Sequence, residues 1–188
     1  WVPVCPEFEV GMGVPRETVR LVGSPANPKM IADKSGKDWT LEMQSYAEKR
    51  VRRLEEMNLS GYILKKNSPS CGMERVRVYP EPQSLAQEGK GRKVSDPPKR
   101  RRLKATDDDA WYGVYGPKGM PNRQGRGLFA QTLMTILPLL PVEEEGRLYD
   151  PGLRENFIER VFAYHRWQLL IAGRKSLGRL VEFHSQEK

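Results

Sequence analysis

The sequence predicts an α/β fold, and three observations carry that prediction. Short apolar runs, Val2 to Val4 before Cys5 and Tyr62-Ile63-Leu64 before Lys65, stop at turns rich in Pro, Asn, Ser and Gly, as short buried strands do. Between them Thr40 to Asn58 repeats apolar residues at helical spacing and feeds directly into the second strand. The third observation is one of placement. Ligands gather at the carboxyl ends of strands in parallel α/β sheets, and each of the two turns holds a cysteine, Cys5 and Cys71. Two readings of that pair stand side by side: one shared site, or two small buried hydrophobes.

The totals narrow the class. A chain of 188 residues forms one good-sized domain or one domain with an appendage. Its apolar share of 38% is low and its charged share of 30% is high for a globular protein. Two cysteines are too few for a disulfide framework, which points to a reducing, cytoplasmic compartment. No apolar run reaches the ~18 residues of a membrane span; Leu133 to Val142, the longest, is interrupted by Thr135, Pro138 and Pro141. The chain opens at Trp1 rather than Met, so the reading expects a missing front end.

In chain order, Gly11 and Gly13 give the backbone a tight path ended by Pro15; this is a plain turn or a nest of amides for an anion. Thr18 to Val22 reads as a short strand and 23–37 as a loop of Gly, Pro, Asn and Lys. Met43, Ala47, Val51 and Leu54 form the buried stripe of the next helix, capped by Asp38 or Thr40. Arg75 to Tyr79 alternates as a half-exposed strand does.

The net charge of +8 has one main source. Residues 89–104 hold eight Lys and Arg against Asp96 alone, which leaves a near-neutral body and no composition-level sign of a basic groove across the fold. The segment around them, 82–110, has too few apolar side chains to offset its ordering entropy and is expected to be a disordered insertion. Pro97-Pro98-Lys99-Arg100-Arg101-Arg102-Leu103-Lys104 has the form of a nuclear-import signal that would meet an import receptor, or is a solvated charge run balanced by Asp107, Asp108 and Asp109. No aromatic residue is interleaved to stack on bases, which weakens a nucleic-acid reading.

Leu128 or Phe129, Leu133 and Ile136 or Leu137 suit an amphipathic helix ended by Pro138, and Leu139 to Val142 suits a further buried strand. Glu143, Glu144 and Glu145 come next; they lie in solvent, or one of them faces the crevice of the cysteines. Asp150-Pro151 opens a long helix with Leu153, Phe157, Val161 and Tyr164 as its buried stripe, widened by Ile158 and Phe162. A second helix starts near Ser176. His165 and His184 sit on different helices without metal-ligand spacing and read as ordinary helix residues.

Five stretches taken together resemble one family. Pro-Val-Cys-Pro-Glu (3–7), Gly-Val-Pro-Arg (13–16), Ser-Pro-Ser-Cys-Gly (68–72), Gly-Leu-Phe-Ala (127–130) and Pro-Val-Glu-Glu-Glu-Gly-Arg-Leu (141–148) are similar to the thiouracil desulfidase-like family. Residues 153–164 and 180–185 resemble the opening of the YbgA-type helical domain often fused to it. The resemblance implies a desulfidase-like α/β domain over 1–148 and the start of a YbgA-like domain over 149–188. It implies a truncated Rossmann-like sheet domain that holds a [4Fe-4S] cluster through three cysteines, with one iron free of protein. Two of those ligands fall on Cys5 and Cys71; the third belongs to an upstream motif that is not in these residues. The implied reaction is a non-redox desulfuration of a thiolated nucleobase or related thiocarbonyl, with Glu7 activating water or holding a proton and Ser68 bonding the substrate. The alternatives are a non-catalytic nucleic-acid-binding or regulatory module using 89–104, and a degenerate member without a cluster.

Overall fold

The computed structural model describes residues 1–80, 121–173 and 176–186. The expected disordered insertion and the whole basic segment therefore lie outside the described residues. The fold is α/β, as predicted. Strands β1 (Val19–Ser24), β2 (Asn27–Ala32), β4 (Val76–Tyr79) and β5 (Asn122–Gly125) form a mixed sheet in the order β2-β1-β4-β5. Strands β3 (Tyr62–Leu64) and β6 (Val142–Glu144) form a parallel pair. Helices α1 (Thr40–Glu56) and α2 (Leu128–Ile136) pack on each other and share the core. Helices α3 (Pro151–Ala172) and α4 (Leu177–Gln186) complete the described chain. No helix among the described residues is long and apolar enough to cross a membrane.

Residues 23–37 are more than the expected loop, because they contain β2. Pro25 and Ala26 make the two-residue link of a β1–β2 hairpin that runs in register from Val19↔Ala32 to Ser24↔Asn27. Pro28 masked this strand in the sequence. It is tolerated because β2 is the edge of the sheet, where a missing N–H breaks no ladder. Pro28, Met30 and Ala32 alternate inward as a period of two requires.

Helix α1 buries Met43, Ala47, Val51 and Leu54, the expected stripe. Asp38 accepts the N–H of Thr40 at 2.9 Å, while Thr40 spends its own oxygen on the N–H of Met30 at 2.8 Å. One threonine thus ties the helix start to β2. The core joins this stripe to Leu21, Met30, Val78, Phe129 and Leu133.

Two strand expectations are corrected. No strand precedes Cys5: Val2 is exposed, and Pro6 and Glu7 begin a short helical turn that continues through Phe8–Met12. The strand placed at Leu139 to Val142 lies further on, at Val142–Glu144, because Leu139 sits in the exposed turn after α2. That shift carries acids inward. Glu143 and Glu144 are buried, and only Glu145 of the three is exposed. Burial is tolerated because each has a partner: Glu143 pairs with Arg147 at 2.7 Å, and Glu144 accepts the N–H of Met73 at 2.8 Å.

Helix α3 starts as predicted, with the Asp150 side chain accepting from Leu153 N at 3.0 Å and Pro151 at its first position. Phe157 and Val161 close over Gly61, and Gln168 donates to Leu59 O at 3.1 Å. His165 meets Ser60 Oγ at 3.2 Å. Leu153 of the expected stripe and the flanking Ile158 and Phe162 stay exposed, and Phe157 is the buried member, so the stripe is narrower than the sequence suggests.

Candidate functional site

The site begins with the turn after β3. Asn67 takes a left-handed backbone conformation (φ 59°), which asparagine tolerates better than most residues, and turns the chain back on itself. Ser68 then organises the turn around Cys71. Its Oγ accepts the N–H groups of Ser70 (3.3 Å) and Cys71 (3.2 Å), and its carbonyl accepts Gly72 N at 2.8 Å.

Helix α2 locks this turn from the other side. The first N–H groups of a helix have no partner within it. Here Leu128 N donates to Pro69 O at 3.1 Å and Ala130 N to Ser70 O at 3.1 Å, while Gly127 N reaches Gly72 O at 2.8 Å. The Cys71 turn and the start of α2 therefore satisfy each other. Gly127 permits the approach: a Cβ there would sit 2.4 Å from Ser70 O.

The second wall is the Cys5 turn. Glu7 crosses to the first wall, its Oε1 accepting from Ser70 Oγ at 2.8 Å and Ser68 Oγ at 3.2 Å. The Arg16 guanidinium holds Oε2 at 2.9 Å. The two serine hydroxyls are 2.9 Å apart. Sequence reasoning misses Ser70, which is only 1% exposed; its signal is the Ser-x-Ser spacing of the turn. It also misses the role of Arg16, whose signal is no more than its place in the Gly-Val-Pro-Arg motif.

Cys5, Glu7, Ser68 and Cys71 all line one crevice of about 320 Å³, together with Arg16 and Lys65. Cys5 is exposed and Cys71 half-buried. Burial pushes the Cys71 thiol up to about 11; the Glu7 carboxylate and the neighbouring Cys5 push the same way, while bonds from Ser70 and Ser68 oppose them. Cys71 is thus a neutral thiol at neutral pH in the metal-free protein, and a metal that binds it must displace a proton. Alkylation of Cys71 by iodoacetamide, followed by peptide mass mapping, should be slow at pH 8. Its rate should rise about tenfold per pH unit up to pH ~11, because the thiolate is the nucleophile.

Gly11 and Gly13 both have positive φ (99° and 76°), as a tight turn requires. His184 lies on α4 against Phe183, far along the chain from His165. Among the described residues no group of three or more His, Cys, Asp or Glu could hold a metal ion.

Composition gives no sign of one further feature. A recess of about 280 Å³ adjoins the crevice, sharing Lys66 and Asn67 with it, and Arg75, Arg77, Arg123 and Arg147 line it together with Glu74 and Glu144. Arg77 is exposed on β4, Arg75 immediately precedes that strand, and Arg123 comes from the neighbouring strand β5. Among the described residues these three arginines have no hydrogen-bond or ion-pair partner, whereas Arg147 is held by Glu74 and Glu143. Like charges side by side on adjacent strands repel unless an anion sits between them. Arg75 also takes a left-handed backbone (φ 57°), an unusual state for a long side chain.

A protein of Bacillus subtilis (strain 168), "Uncharacterized protein YbbK", is 37% identical over 76 residues, 38% of this chain and 50% of that protein. The match thus spans half the length of that curated relative. No solved structure matches. The sequence profile of the 2-thiouracil desulfurase family matches residues 1–145, which take in both cysteine turns and every element from β1 to β6, and the chain belongs to that family.

Proposed function

We propose that this chain removes sulfur from a thiocarbonyl of a thiolated nucleobase, replaces it with oxygen from water and releases sulfide. The observation that carries this reading is the opening of Cys5, Cys71 and Glu7 into a single crevice. Thiolates are the donors that iron–sulfur clusters take, so the donor type fits. The number fits only in part, because the sequence contains two cysteines. In this proposal Cys5 and Cys71 are two ligands of a [4Fe-4S] cluster, and the third comes from sequence outside these residues. When bound, such a cluster supplies an open iron as a Lewis acid for sulfur.

The protein's own part is proton handling. A carboxylate offers about four lone-pair sites. Oε1 of Glu7 already serves two serine hydroxyls, while Oε2 serves Arg16 alone. Water therefore has its place at Oε2, where Glu7 takes one of its protons as the oxygen attacks the thiocarbonyl carbon. Glu7 passes that proton to the sulfur, then takes the remaining hydroxyl proton as the C–S bond breaks and HS⁻ leaves, so water and thiocarbonyl give carbonyl, hydrosulfide and one proton, with no electron donor needed. Ser70 makes the shorter bond to Glu7 and orients it; Ser68, at 3.2 Å, is the hydroxyl that can turn to the substrate.

The arginine recess extends the reading. Three guanidinium groups without a partner among the described residues, beside the crevice, suit a substrate that carries a phosphate on its ribose. Steady-state sulfide release should show it in the reconstituted protein. Exchanging Arg75 and Arg77 for Gln should raise KM for a thiolated nucleoside monophosphate about tenfold or more, while kcat and the kinetics on the free thiolated base stay unchanged. An equal effect on both substrates would remove the phosphate from the proposal.

The charge of 89–104 favours a second reading, in which the chain binds nucleic acid and 97–104 meets an import receptor. Salt-dependent affinity that disappears on deleting 89–104, with sulfide release intact, would support it. In either reading the free thiols suit a reducing cytoplasmic or nuclear setting. We read α3 and α4 as the opening of a YbgA-type helical domain, supported by the apolar residues they leave exposed, Phe162, Ile171 and Leu177 among them.

A further inference from the structure

Glu7 is not the only carboxylate on the Cys5 turn. Glu9 lies two residues on and points the other way, toward α1. Its Oε1 accepts the backbone N–H of Cys5 at 3.3 Å, and its own N–H donates back to Cys5 O at 2.9 Å. The other oxygen, Oε2, accepts from Tyr46 Oη at 2.9 Å and pairs with Arg50 Nε at 3.1 Å. Tyr46 and Arg50 are one turn apart on α1, so both partners stand on a rigid element. Tyr46 in turn rests on Phe129 of α2, ring centroids 6.1 Å apart. Burial, and after it the Glu9 carboxylate, raises the Tyr46 pKa above its ordinary value and keeps the hydroxyl a donor.

The two cysteine turns thus have different anchors. The Cys71 turn is tied to the backbone at the start of α2. The Cys5 turn contains no strand, and its polar tie to the helical layer runs through the Glu9 side chain. We infer that Glu9, held by Tyr46 and Arg50, is a positioning residue that sets where the Cys5 sulfur stands relative to Cys71. This deepens the proposed function and rests on its shared crevice.

A reagent that needs both sulfurs at once reads the inference directly. Phenylarsine oxide condenses with two neighbouring thiols, forming two As–S bonds and losing water, whereas iodoacetamide reports each thiol alone. In the metal-free chain both cysteines should be consumed by one arsenical. Glu9→Ala should weaken that capture at least tenfold, with the alkylation rate of each cysteine within about twofold of native. Tyr46→Phe, which keeps the ring packing, should weaken it by a smaller factor. Glu9→Gln, which keeps an acceptor for the Cys5 N–H, should recover part of the loss.

Native-like capture in Glu9→Ala overturns the inference. Should that variant fail to fold, Glu9→Gln and Tyr46→Phe decide, and native-like capture by both overturns it equally. Failure of the native chain to bridge one arsenical would instead remove the shared crevice itself. That outcome differs from loss of the Glu9 role, in which the native chain captures normally and the variants do too.

Discussion

Replacing Glu7 with Gln should lower kcat for sulfide release by about 10²–10⁴ while leaving iron content and visible absorption of the reconstituted protein unchanged. The effect is one of charge at constant shape. Glutamine keeps the length of the side chain, and its carbonyl can still accept from Ser70, 2.8 Å away in the native protein. It cannot take a proton from water, and its amide gives Arg16 no charge to pair with. Removing the partner of a guanidinium also frees that cation to draw substrate or solvent anions toward the crevice. The measurement is single-turnover sulfide production beside an iron assay. Parallel loss of iron and activity would make Glu7 a structural tie between the turns and leave the proton step without a base.

The second large effect is expected at Gly127, which carries no functional group at all. A Cβ at this position would meet Ser70 O at 2.4 Å, Ser70 C at 2.5 Å and Cys71 N at 2.7 Å. All three are backbone atoms, so no side chain can swing aside. The Gly127 backbone has φ −64° and ψ 142°, which any residue adopts, so the cost is one of space rather than of conformation. Gly127→Ala must push the Cys71 turn away from α2 and stretch the bonds that Leu128 N and Ala130 N make to it. Overpacking of this kind costs about 1–3 kcal/mol. Urea unfolding should show that loss. The alkylation rate of Cys71 at fixed pH should rise at the same time, because a displaced turn is less buried and its thiol falls back from about 11.

Much of the scaffold is legible in the sequence because local rules and tertiary packing agree there. The α1 stripe, the β3 strand, the Asp150 cap with Pro151 and the helix ended by Pro138 all follow from periodicity and turn chemistry. Where they conflict, packing wins. Pro28 reads as a strand breaker, yet an edge position tolerates it. Glu143 and Glu144 read as solvated, yet the loop of Met73 and the Arg147 guanidinium supply partners that only the fold brings near.

The site divides in the same manner. Cys5, Glu7, Ser68 and Cys71 are visible as residues in Pro-flanked turns, and the fold brings their side chains to one crevice. Ser70 and Arg16 are hidden because their roles depend on reaching Glu7 across 63 and 9 residues of chain. The arginine recess is hidden for a related reason. Composition counts charges over a segment, whereas the fold gathers Arg75, Arg77 and Arg123 into one recess, whose acids Glu74 and Glu144 are held by Arg147 and by the Met73 N–H.

The most direct test is anaerobic iron–sulfur reconstitution of the protein, joined to the third thiolate ligand that the proposal calls for, in its native form and with Cys5→Ser or Cys71→Ser. The native protein should take up about four irons and turn brown, with broad sulfur-to-iron absorption, and either serine variant alone should lose most of both. Retention of a native cluster by both variants would show that these two sulfurs do not hold it, and would contradict the account.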